Sequence, residues 1–207
     1  MNEYIEFKKQ LEELKLKDIK PTLLLHSCCG PCSSYVLSIL NDYFKITIFY
    51  YNPNIFPKDE FNKRLETQKE IIDKLGYDID IITDLYDYNI YKECVKGLED
   101  LGEGSKRCYN CYYFRMKKCS EIASINNFDY FTTTLSISPY KNSAWINEIG
   151  KEVELNSKYL YSNFKKENGY KISIELSKKY GLYRQDYCGC VSSIKEHNER
   201  MKKQNKE

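Results

Sequence analysis

The sequence predicts an α/β protein in which a parallel sheet is flanked by helices. Three observations predict it. Short apolar runs alternate with helical patterns in the order β-α-β-α-β, turn residues separate them, and 207 residues suffice for one such domain with a real core but not for two large ones. A parallel series with right-handed crossovers gathers the loops that leave its strands at one edge of the sheet, where ligands of such folds bind. Residues 1–207 are therefore read as a single domain: an N-terminal helix within 1–20, a sheet core over 21–141 and a mostly helical region over 142–207.

Residues 3–17 carry Tyr4, Phe7, Leu11 and Leu14 as an apolar stripe among charges, which predicts an amphipathic helix packed on the domain. Leu23, Leu24 and Leu25 suit a buried strand. Gly30 and Pro31 break it, and Ser33-Ser34 precede the helical pattern Tyr35, Val36, Ile39, Leu40. A second strand over 45–51 leaves through Asn52-Pro53-Asn54-Ile55-Phe56-Pro57. A charged helix over 59–75 ends at Gly76, and a third strand follows over 78–83. Next come a helix near 88–98, a glycine-containing loop, and a helix that carries Cys108 and Cys111 and runs to 125. A fourth strand spans 129–135, with 136–141 as its exit loop. Residues 142–183 read as mostly helical and 183–190 as a loop, while the charged tail after His197 is expected to fray.

Composition narrows the function. With 32 Lys and Arg against 30 Asp and Glu, the net charge is +2, so any nucleic-acid contact must come from a local patch. Twenty tyrosines among many lysines carry little weight, because an AT-rich genome gives the same bias. The N-terminus, Met1-Asn2-Glu3-Tyr4-Ile5-Glu6, has no apolar signal region, and no run approaches a membrane span; a cytoplasmic protein with no membrane partner is expected. In a reducing compartment, nine cysteines read as metal ligands or redox groups rather than as a disulfide framework.

Seven of them fall in three motifs: Cys28-Cys29-Gly30-Pro31-Cys32, Cys108-Tyr109-Asn110-Cys111 and Cys188-Gly189-Cys190. The first joins a strand to a helix start, where the positive end of the helix favours thiolates. Cys108 and Cys111 share one helix face and can bind one metal centre. A zinc knuckle completed by Cys29 and Cys32 would use four thiols, and the surplus points instead to redox work and iron–sulfur ligation. Cys29-Gly30-Pro31-Cys32 also spells the motif of thioredoxin-like oxidoreductases, but a simple dithiol exchanger leaves Cys28 and the other two pairs unexplained. In Cys188-Gly189-Cys190, side chains two apart point the same way in an extended loop. Gly189 lets the backbone tighten toward a strained, readily reduced disulfide; the alternative is a pair of metal ligands. Cys94 and Cys119 read as core cysteines and His26 as a satisfied core histidine.

Three polar loops accompany the cysteines: Tyr51-Asn52-Pro53-Asn54, residues 136–141, and Tyr183-Arg184-Gln185. Their amide, hydroxyl and aromatic groups suit a base or sugar, and Lys106, Arg107, Arg115, Lys141 and Arg184 suit phosphates.

Taken in order, Cys28-Cys29-Gly30-Pro31-Cys32, Tyr51-Asn52-Pro53-Asn54-Ile55, Arg107-Cys108-Tyr109-Asn110-Cys111-Tyr112, Thr132-Thr133-Thr134-Leu135 with Ser138-Pro139-Tyr140-Lys141, and Tyr187-Cys188-Gly189-Cys190 resemble epoxyqueuosine reductases of the QueH type. The resemblance runs from 23 to 193. It implies a Rossmann-like fold close to the adenine-nucleotide hydrolase group, and an oxidoreductase that needs no cobalamin. The implied reaction reduces the epoxide of epoxyqueuosine at the tRNA wobble position, the last step of queuosine biosynthesis. Carried over to this chain, Cys28, Cys29, Cys108 and Cys111 would hold a [4Fe-4S] cluster, and Cys188 with Cys190 would be the redox-active pair that cycles through a disulfide bond. Cys32 is left over, and a second iron held by Cys32 with Cys188 or Cys190 is a rival use of the same thiols. On this reading Cys188, Cys190, Cys32 and Tyr140 act on the epoxide, with Tyr140 as proton donor. Tyr51, Asn52, Asn54, Arg107, Arg115, Lys141, Arg184 and Gln185 hold the tRNA anticodon loop, and an external electron donor supplies the reducing equivalents.

Overall fold

In the computed structural model, which describes residues 2–204, five parallel strands form one sheet: β1 (Thr22–His26), β2 (Lys45–Tyr50), β3 (Asp80–Thr83), β4 (Tyr130–Thr133) and β5 (Lys158–Tyr159). Their order is β3-β2-β1-β4-β5. The chain winds outward from β1 through β2 to β3, then returns to the other side of β1 as β4. The direction reverses between β1 and β4, and open sheets of this kind bind ligands beyond the strand ends at that point. Register there is fixed by the pairs His26 with Phe49 and His26 with Thr133, so the three central strands end at one level.

The helices are α1 (Glu3–Lys17), α2 (Gly30–Leu40), α3 (Lys58–Leu75), α4 (Tyr88–Cys94), α5 (Lys106–Ile125), α6 (Ser143–Glu152), α7 (Gly169–Lys179) and α8 (Val191–Gln204). As its stripe predicts, α1 buries Phe7, Leu11 and Leu14, and the Asn2 side chain caps its first turn by accepting from the Tyr4 N–H. Alternation along β1 divides the core. Leu23 and Leu25 join the cluster of Phe7, Val36 and Ile48, while Leu24 joins that of Phe49, Met116, Phe131 and Ile146.

Several boundaries differ from the sequence reading; among them, β4 ends at Thr133 rather than at 135, and Thr134–Ile137 form a 3-10 helix. Helix α2 begins at Gly30 rather than near Ser33, because proline is well placed in a first turn, where its missing N–H has no partner to lose. Helix α4 stops at Cys94, short of 98. Within 142–183 lies β5, docked by Lys158 N–H to Asp129 O and Leu160 N–H to Phe131 O, both 2.9 Å; two residues are too few to show a strand period. The charged tail after His197, expected to fray, is helical to Gln204.

Candidate metal and redox site

Beyond β1 the chain turns through Ser27 and Cys28 into α2, and neighbouring elements hold that turn in place. Ser27 N–H donates to Phe49 O at 3.0 Å, its hydroxyl donates to Gln68 Oε1 at 2.7 Å, and its carbonyl accepts from Asn52 Nδ2 at 2.9 Å. Gly30 is required by packing: a Cβ there would lie 2.4 Å from the Thr67 carbonyl oxygen of α3. The turn thus presents the sulfurs of Cys28, Cys29 and Cys32 within 4.8 Å of one another, with Cys28 and Cys29 3.9 Å apart.

The three thiols share charge unequally. Hydrogen bonds from Cys29 and Cys32 hold Cys28 well below the usual thiol range, aided by the cations of Lys141 and Arg115. Cys29 is pushed up to about 11 and Cys32 well above the usual thiol range, chiefly by hydrogen bonding with the Cys28 sulfur. Of the three, Cys28 is the sulfur whose anionic form its neighbours favour. Behind it, His26 is fully buried, with Nδ1 2.7 Å from Thr133 Oγ1 and Nε2 accepting from Arg115 Nε at 3.3 Å. The Tyr51 carbonyl lies 3.1 Å from the same Nε2, so both ring nitrogens have polar neighbours. Burial, then Arg115, lowers the His26 pKa to about 3, and the ring is neutral. It is a satisfied core histidine, as the sequence suggested.

The Cys188-Gly189-Cys190 loop reaches the same place from the other end of the chain. Gly189 has φ +105°, a conformation suited to glycine; its N–H donates to Ser193 Oγ at 3.0 Å and its carbonyl accepts from Phe56 N–H at 2.9 Å. Cys188 lines a cavity with Cys28, Cys29 and Cys32, and its thiol is held well below the usual range by Cys190, Lys141, Arg115 and Arg64. Cys190 is buried in the cluster formed by Tyr91, Val95 and Cys111. Lys141 is affected in return. Burial would lower its pKa, but the sulfurs of Cys188, Cys28 and Cys32 outweigh that and raise it.

The cavity is small, about 80 Å³. It gathers ten of the predicted residues: Cys28, Cys29, Cys32, Asn54, Arg115, Tyr140, Lys141, Arg184, Gln185 and Cys188. Tyr51, Asn52, Arg107, Cys108, Cys111 and Cys190 are not in its lining. Asn52 is fully buried, and its Oδ1 accepts from Arg115 Nη2 while its Nδ2 is spent on Ser27; it is an internal strut. Tyr51 is buried with its ring stacked on Phe49. Arg107 is 1% exposed and faces Glu196 of α8 at 3.6 Å. Cys108 and Cys111 stand in the first turns of α5, and one turn on from Cys111 the Arg115 guanidinium feels the charge of both Cys111 and Cys28. Cys119 is a core cysteine as expected. Cys94 is only half-buried and packs against the Cys111–Cys190 cluster, with its thiol donating to Asn110 O at 3.4 Å.

Sequence reasoning missed Arg64, Glu103, Tyr170, Tyr187 and Arg200, all in the lining. Only Arg64 left a signal: a charged residue at core-facing spacing between Phe61 and Gln68 of α3. Three sulfurs together, with buried cations near, are a donor set suited to a soft metal.

A doubly wound parallel sheet with a thiol-rich, cation-lined cavity at its switch point defines a cysteine-based metal or redox protein. The model of the family described as Epoxyqueuosine reductase QueH matches residues 23–196. The chain belongs to this reductase family, as its motifs indicated. It is 38% identical over 204 residues to epoxyqueuosine reductase QueH of Streptococcus pyogenes serotype M1, covering 94% of this chain and 80% of the relative. With that of Staphylococcus aureus strain Mu50 it shares 37% over 218 aligned positions, covering 100% and 91%. A solved structure described as a predicted subunit of tRNA methyltransferase from Methanocaldococcus jannaschii aligns with TM-score 0.46 and 13% identity, over 77% of this chain and 74% of the other. No helix among the described residues is long and apolar enough to cross a membrane.

Proposed function

We propose that this chain reduces the epoxide of epoxyqueuosine, presented by the wobble position of a tRNA anticodon loop in the cytoplasm, to the alkene of queuosine. The observation that carries the reading is the convergence of the Cys28–Cys32 turn and Cys188 on one cavity in a member of this family. Removing the epoxide oxygen as water takes up two electrons and two protons. Two thiols closing to a disulfide release the same number of each, so Cys188 and Cys190 balance the reaction without cobalamin, and an external donor reopens the disulfide.

Cys28 and Cys29 on the turn, with Cys108 and Cys111 on α5, would hold a [4Fe-4S] cluster. Such a cluster, each iron capped by a thiolate, would relay electrons one at a time from the external donor to the Cys188 and Cys190 pair. Cys32 stays a rival ligand, for a second iron shared with Cys188 or Cys190.

The remaining residues bind and protonate. Tyr140, 60% exposed at the cavity rim, gives a proton to the departing oxygen. Asn54 Oδ1 and Gln185 Oε1 are buried acceptors with no partner, ready for hydroxyl or amine donors of the nucleoside. Lys141 and Arg184 take phosphates, with Arg115 as the charge behind the sulfurs. The test is turnover by Cys190→Ser: a loss to trace levels is expected, and full epoxide reduction would remove the dithiol from the mechanism.

A further inference from the structure

One face of α3 forms a wall beside the cysteine turn. Thr67 O lies where a Cβ at Gly30 would be, and Gln68 Oε1 accepts from Ser27. Arg64, three and four residues earlier, shares that face and is 2% exposed. Its guanidinium is divided. Nε donates to Glu60 Oε1 at 2.7 Å, Nη1 donates to the Cys188 carbonyl at 2.9 Å, and Nη2 has no partner. Glu60 is itself fixed by the Tyr183 hydroxyl, 2.9 Å from Oε2. The fork is pressed against Gly189, where a Cβ would come within 3.0 Å of Nη2. Arg64 also lines the cavity with Cys28, Cys29 and Cys188.

A buried guanidinium with an idle N–H is costly unless something claims it. We propose that Arg64 serves the metal centre held by the cysteine turn, its free Nη2–H and its charge lying on the sulfur side of that centre and raising its reduction potential, while Nη1 ties the Cys188 loop to the same guanidinium. Hydrogen bonds to cluster sulfurs and nearby positive charge both favour the reduced form. Arginine suits the position because one rigid fork reaches three partners at once; a lysine ammonium that pairs with Glu60 leaves the turn and the loop without their donors.

The inference rests on the iron–sulfur reading above. The experiment compares wild type, Arg64→Lys and the charge-balanced double variant Arg64→Met/Glu60→Gln, each reconstituted anaerobically and assayed for iron, then titrated to its midpoint potential by electron paramagnetic resonance. With iron uptake equal to wild type, the double variant is expected to move about 60 mV or more to the negative, a tenfold change in a one-electron equilibrium. Arg64→Lys should move in the same direction by less. A role confined to folding would change iron yield or melting temperature and leave the midpoint where it was. If the double variant takes up no iron, Arg64→Lys alone decides by the same sign. Unchanged midpoints in iron-loaded variants overturn the inference alone, whereas wild-type protein that takes up no iron overturns the cofactor reading and this inference with it.

Discussion

The Cys28 sulfur lies 3.8 Å from the Thr134 hydroxyl, between residues 106 apart in sequence. That contact spans the gap where β1 and β4 end side by side, so the first cysteine of the turn stands at the switch point of the sheet. It also accounts for the run Thr132-Thr133-Thr134. Thr132 Oγ1 donates to Leu160 O at 2.8 Å, Thr133 Oγ1 meets His26, and Thr134 meets Cys28, so each hydroxyl serves a different neighbour.

The close approach of α3 to the turn makes Gly30 a sensitive position. Gly30→Ala must push Cβ away from backbone rather than from a movable side chain, and overpacking of that kind costs about 1–3 kcal/mol. Urea unfolding of the metal-free chain is expected to show that loss, with iron uptake reduced as the turn shifts. A variant as stable as wild type would mean that α3 is not seated where Thr67 meets the turn.

His26 gives a pH signature. Its pKa falls from 6.5 to about 3 on folding, so between those values the unfolded chain binds a proton that the folded chain does not. Its contribution is fully present above pH 6.5 and is lost as pH falls toward 3, at up to about 1.4 kcal/mol per pH unit. Stability of metal-free His26→Gln, which keeps an acceptor for Arg115, should decline less steeply over that window. Parallel curves would contradict a buried neutral histidine.

Ligand assignment is decided by single serine variants. On the proposed set, Cys29→Ser, Cys108→Ser and Cys111→Ser lose most of the iron and acid-labile sulfide after anaerobic reconstitution, whereas Cys32→Ser keeps the brown colour. The opposite pattern, with Cys32 needed and Cys108 dispensable, would assign the metal to the Cys28, Cys29 and Cys32 group alone. Colourless wild-type protein with one bound zinc would instead mark a structural knuckle.

If a tRNA is the substrate, its affinity falls as salt rises, since contacts to phosphates release counterions. Lys141→Gln should weaken binding and lower the slope of log affinity against log salt by about one. A flat response in filter binding would indicate that a free nucleoside, not the polynucleotide, is recognised.

The sheet was legible where strands are long and apolar, as in Leu23-Leu24-Leu25 and Lys45-Ile46-Thr47-Ile48-Phe49-Tyr50, and illegible at β5, whose two residues carry no period. Cysteines announced the site because their chemistry resides in residue type and spacing. The internal polar scaffold did not announce itself. Asn52 and Arg107 have side chains suited to RNA, yet tertiary packing buries both; Arg64 sits in a helix whose composition reads as solvent-facing and only its spacing hinted at burial, which Glu60 and the Cys188 carbonyl complete. Burial of a charge depends on what folds over it, and here the covering segment lies 124 residues away in sequence.

The central claim is tested most directly by incubating the anaerobically reconstituted chain, with a chemical reductant and no cobalamin, with tRNA carrying epoxyqueuosine, then digesting the tRNA and weighing its nucleosides by mass spectrometry. The epoxide nucleoside is expected to be replaced by one lighter by a single oxygen atom, at a rate that collapses in Cys190→Ser. Iron-loaded protein that leaves the epoxide nucleoside intact would contradict it.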